Sequence, residues 1–139
     1  MSNPQDQFVL LVEELVTKVK EWAEPSDWAT KTYPKRMRAL DRSIFEVTAL
    51  YLQKGPIRVL LDPVAYDFPG ANAAVDLYLM PTYEDLARLY FRDGRWTIHY
   101  AFSEDPLSAS VDEAEALPLD EPSLNRVLDS IATHATPSV

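Results

Sequence analysis

The sequence predicts an α+β domain: an N-terminal helix, a five-stranded antiparallel meander sheet and a C-terminal helix, with the helices mainly on one sheet face. Three observations carry that expectation. Residues 4–24 repeat their apolar positions at helical spacing, the period changes to two from Ile44, and helical spacing returns after Pro122. Helix, sheet and helix in contiguous order differ from the strand–helix alternation of parallel α/β folds.

In the first segment Phe8, Leu11, Val12, Leu15, Val16, Val19, Trp22 and Ala23 form one stripe, with most charges on the other side. Asn3 suits the N-cap, Pro4 the first helical position, and Pro25 ends the run. Residues 26–43 are harder to place. "KTYPKRMRALDR" holds five basic residues and one aspartate, and Pro34 is placed to start a short helix that would cover the outer side of the sheet.

The expected strands are 44–53, 56–61, 73–80, 86–92 and 95–102. Lys54-Gly55-Pro56 supplies the first turn, "DPVAYDFPGAN" (62–72) reads as a longer loop, and "PTYED" (81–85) joins the third and fourth strands. Residues 103–121 carry seven acids and no lysine or arginine, which reads as a mobile acidic connector. Pro122 and Ser123 then open a helix whose Leu124, Val127, Leu128 and Ile131 share a face. The whole chain is expected to be one domain.

The stretch "LARLYFRDGRWTIHYAF" (86–102) sets the register most clearly. A two-residue Asp93-Gly94 turn collects Ala87, Leu89, Phe91, Trp96, Ile98, Tyr100 and Phe102 on one face. Arg88, Tyr90, Arg92, Arg95, Thr97 and His99 then share the other, and a one-residue slip would mix the two. On the preceding strands Thr48, Leu50, Leu52, Ile57, Val59 and Leu61 are expected inward. Val47, Tyr51, Arg58 and Leu60 are expected outward, as are Asp76, Tyr78 and Met80 opposite Val75, Leu77 and Leu79.

Composition narrows the function. The 139-residue chain has a net charge of -9, which opposes general nucleic-acid binding, and it has no cysteine for a disulfide or thiolate site. No apolar run approaches the ~20 residues that cross a bilayer. The N-terminus MSNPQDQF lacks the features of a secretion signal, so a cytoplasmic protein is expected. Gly55, Gly70 and Gly94 all fall at turns, and no phosphate-binding loop or nucleophile elbow is present. His99 and His134 lack metal-ligand spacing. The acid pairs Asp62/Asp67, Glu84/Asp85 and Glu104/Asp105 lie in or beside loops, whereas Glu46 and Asp76 interrupt strands and read as salt-bridge partners. No cofactor, metal or catalytic group is expected.

Attention therefore falls on the outward face. Tyr51, Arg58, Tyr78, Met80, Arg88, Tyr90, Arg92, Arg95 and His99 combine the residue types enriched in protein interfaces. The expected function is non-enzymatic capture of a protein or peptide, a second copy of this chain included, with no nucleic acid and no membrane. In architecture alone the order is similar to secretion chaperones and toxin-immunity proteins. The competing expectation is a small anionic-ligand or enzymatic site lined by Arg88, Arg92 and His99. Residues 103–121, folding back over the arginines, would be an internal occupant of the same face.

Overall fold

The computed structural model describes residues 4–39, 41–68, 71–101 and 116–134, without the side chains of Asp67 and Phe68. An amphipathic helix has to bury its stripe, and α1 (Pro4–Ala23) does so through Phe8, Val12, Leu15, Val16, Val19 and Ala23. The second helix, α2 (Glu121–His134), buries Leu124, Val127, Leu128 and Ile131, as its spacing predicts. It starts on a reciprocal cap in which the Ser123 N–H donates to Asp120 Oδ1 and the Asp120 N–H donates to Ser123 Oγ. The expected cap Asn3 and most of the connector lie outside the described residues.

Both helices pack on one face of an antiparallel meander of seven strands, not five. In order these are β1 (Ala29–Arg38), β2 (Ile44–Lys54), β3 (Ile57–Phe68), β4 (Ala71–Leu79), β5 (Glu84–Arg92), β6 (Arg95–Tyr100) and β7 (Ala116–Pro118). The two additions correct the sequence expectation. No helix starts at Pro34: residues 29–38 pair along their whole length with β2. Proline is tolerated there because β1 is an edge strand, where a missing N–H need not break a ladder. Residues 116–118, expected within the mobile connector, pair with β6 as the other edge.

The expected loop 62–72 is also largely strand. β3 runs to Phe68 and pairs back through Phe68 opposite Ala71. A register shift between Pro63 and Ala65 inserts an extra residue, a bulge that hides the strand's period of two. After it, Tyr66 points to the helices, 5.5 Å from Phe8 and 5.9 Å from Phe45 by ring centroid.

The first turn centres on Gly55-Pro56, with Lys54 opposite Ile57. Gly55 takes a φ of 58°, and Pro56 sits at the second central position. This moves the pairing by two residues from a Lys54-Gly55 turn, so side chains keep their faces. Val47 does not: it lies in the helix-side core with Leu50, three residues on, so β2 changes face between them, just where its pairing with β3 begins, and Thr48 is half-buried. The Asp93-Gly94 hairpin follows the two-residue register throughout: Phe91 faces Trp96, Leu89 faces Ile98 and Arg88 faces His99. Both turn residues take positive φ, 53° and 77°.

Each fully buried apolar side chain here contributes roughly 1.5–3 kcal/mol relative to exposure. Phe8 couples three elements, lying edge-on to Phe45 at 6.4 Å and against Tyr66. Phe8→Ala is expected to cost about 3–5 kcal/mol in urea unfolding, whereas Leu10→Ala, on the exposed side of the same helix, should stay within about 0.5 kcal/mol of wild type.

Candidate functional site

The helices cover one side of the sheet, and the residues of the opposite side organise themselves. Leu60 on β3, Ala49 on β2 and Met80 after β4 are buried in a second apolar cluster, separate from the helix-side core. Its cover is made of tyrosines. Tyr33, Tyr51 and Tyr78 are half-buried against it, with the Tyr33 and Tyr51 rings stacked at 5.1 Å. Tyr83, in the β4–β5 connection, meets Tyr78 edge-on at 5.7 Å.

Two carboxylates lie directly opposite each other in this face, because β3 and β4 pair Asp62 with Asp76. Like charges so placed repel. Each has its own cation, one from a strand on each flank of the β3–β4 pair. From β1, Lys35 Nζ donates to Asp62 Oδ1 at 2.8 Å and to the Pro63 carbonyl at 2.6 Å. From β5, Arg88 Nε donates to Asp76 Oδ1 at 2.8 Å, and the Tyr78 hydroxyl donates to Asp76 Oδ2 at 2.8 Å. Asp76 is only 4% exposed, so these bonds satisfy a charge that water does not reach. The bond to Asp76 raises the Arg88 pKa above its usual range.

Burial, then the bond to Asp76, raises the Tyr78 hydroxyl. Burial also pushes Tyr33 up to about 12, helped by Tyr51, Asp62 and Tyr83. Neither phenol is a base near neutrality; both serve as neutral walls and donors.

Further along the face, the Arg92 guanidinium stacks 4.7 Å over Tyr90, and His99 meets Tyr90 edge-on at 5.4 Å. Arg92 Nε is buried and has no acceptor among the described residues. The sequence-derived set thus divides into four. Tyr51, Tyr78 and Met80 belong to the aromatic cluster, with Met80 as its floor, not its exposed surface. Arg88, Tyr90, Arg92 and His99 form the neighbouring strip on β5 and β6. Arg58 is exposed beside Tyr51 in a shared groove, whereas Arg95 contributes to a different cleft against α1.

That groove, ≈ 380 Å³, runs along the start of β1 and the β2–β3 turn, lined by Lys31, Tyr33, Tyr51, Gln53 and Arg58 among others. The charged groups lining it are both cations. Sequence reasoning leaves Tyr33, Lys31 and Lys35 unmarked and reads Asp62 as half of a loop acid pair with Asp67, whereas here it is the ion-pair partner of Lys35. The alternation of Tyr33, Lys35 and Met37 was the available signal, masked by Pro34. Glu46 stands opposite Arg36 in the β1–β2 register, away from the arginines of β5. Among the described residues no group of three or more histidine or acidic side chains is placed to hold a metal, and no helix is long and apolar enough to cross a membrane.

No protein-family model, curated protein or solved structure matches this chain.

Two outcomes follow from the polar network. Arg88→Met should cost about 3–5 kcal/mol in urea unfolding by leaving the Asp76 charge buried without its cation, and adding Asp76→Asn should recover much of that loss. Because the folded Tyr33 pKa lies above the unfolded value of 10.0, its contribution is complete below pH 10 and falls as pH rises toward about 12. Tyr33→Phe should remove that late step from a phenolate absorbance titration and flatten the loss of stability over the same interval.

Proposed function

We propose that this chain is a non-enzymatic binding domain that docks an acidic, extended segment of another protein on the outer face of its sheet. The observation that carries the reading is the groove: stacked Tyr33 and Tyr51 on one wall, with Lys31 and Arg58 as its charged lining, in a chain of net charge -9. Cations left on the surface of an acidic protein, beside half-buried aromatic rings, suit carboxylates flanking an apolar anchor. In this reading the anchor lies against the tyrosines, its carboxylates meet Lys31 and Arg58, and Arg92 extends the cationic strip toward β6. The network of Asp62, Asp76, Lys35 and Arg88 holds the face rigid, which lowers the ordering cost of binding.

The small-ligand or enzymatic alternative has less support. Arg88 is engaged by Asp76, and His99 and Arg92 both pack on Tyr90.

Selection of random peptides on the wild-type protein, with counter-selection on a Tyr51→Ser, Arg58→Glu double variant, tests the proposal. Arg58 is exposed and Tyr51 half-buried, and the variant's fold is checked by its urea midpoint. Enriched peptides should pair acidic residues with an aromatic or aliphatic anchor. They should bind the variant at least about tenfold more weakly and lose affinity with salt. Peptides without acids, or with equal affinity for both proteins, would overturn the reading. Sedimentation equilibrium supplies the other decisive outcome: a wild-type dimer that the double variant dissociates would make a second copy, not a foreign peptide, the occupant.

A further inference from the structure

On the helix side of the sheet, along the C-terminal half of α1, the tip of the β5–β6 hairpin leaves a cleft of ≈ 360 Å³. Its walls are aromatic: Trp22 from α1, and Phe91 and Trp96 from the hairpin, the latter two with ring centroids 5.3 Å apart and planes inclined at 60°. All three are half-buried at the margin of the core, not closed within it. The chain after β7 closes one end, where the Leu119 N–H donates to the Trp96 carbonyl at 3.1 Å. Three charged residues line the cleft, Lys18, Arg95 and Glu14. Their sum is one positive charge, and neither cation has an ion-pair partner among the described residues.

We propose that this cleft binds a planar aromatic monocarboxylate. Flat π-faces on the walls favour a ring that stacks or meets them edge-on. Arginine matches a carboxylate bidentately, with Lys18 as a second point charge one helical turn from Glu14. Glu14 opposes a dianion. The volume lies near the lower end for small-molecule sites, suiting one or two fused rings better than a nucleotide. This site shares no residue with the outer-face groove and is independent of the peptide reading.

The chain carries its own reporters, because two of its three tryptophans line the cleft and the third, Trp28, is buried outside it at 2% exposure. The full-length protein, labelled with fluorotryptophan, is titrated with naphthoate and separately with naphthamide under fluorine NMR, with Trp22→Phe and Trp96→Phe assigning the signals. Naphthoate should shift the Trp22 and Trp96 resonances and leave Trp28 in place, and it should bind at least about tenfold tighter than the amide. A Lys18→Gln, Arg95→Gln variant, with an unchanged urea midpoint, should lose that preference. No shift at millimolar naphthoate, equal affinity for the amide, or movement of Trp28 in step with the other two would overturn the proposal.

Discussion

Both helices bury their apolar stripes on the same side of one sheet, and the remaining structure answers to that asymmetry. The helix-side face receives Phe8, Leu15 and Val19 from α1 and Leu124, Leu128 and Ile131 from α2 against Leu50, Val59, Leu77 and Leu89. Burial on that side supplies the large hydrophobic contribution that holds the strands in register, since a one-residue slip would turn the same side chains to the other face. The Tyr100 hydroxyl, within 2.9 Å of Ser130 Oγ, adds a polar tie between β6 and α2.

The other face has to satisfy its own side chains without a helix from the described residues. It does so by local pairing. Leu60 is buried under tyrosine rings, and the opposed acids Asp62 and Asp76 are each held by a cation from a flanking strand. Lys35 reaches β3 from β1 because β2 pairs with β3 only from Leu50 onward, and its ammonium meets the Pro63 carbonyl beside the bulge. Before that point Val47 joins the helix-side core and Phe45 packs edge-on against Tyr66.

This arrangement also sorts the arginines by what they are free to do. Arg88 is a structural cation because a buried carboxylate requires it. Arg92 is positioned by Tyr90, with its Nε–H unpaired among the described residues, and Arg58 stands exposed at a tyrosine-walled groove. Arg95, opposite Arg92 in the hairpin, also lines the cleft beside α1. Four arginines that share one face in the linear pattern thus differ in their surroundings. Interface propensity is a property of residue type, whereas availability depends on the neighbour each guanidinium already has.

Sequence alone determined the helices, the α+β class and the β5–β6 register. In those segments local signals agree: apolar positions at one period, Pro122 and Ser123 at the opening of α2, and an Asp93-Gly94 turn whose positive φ values match its residue types. Asp76 was legible as an ion-pair partner for the same reason, since a lone acid in an apolar strand requires a cation. Tertiary structure decided the rest. Whether "KTYPKRMR" is helix or strand depends on a free sheet edge that accepts Pro34, and whether 62–68 is loop or strand depends on a bulge. The alignment of Lys35 with Asp62, and of Tyr33 with Tyr51, follows from pairing between segments whose own patterns carry no such instruction. Hydrophobic periodicity specifies which side of an element is buried; it does not specify which polar neighbours that element will meet.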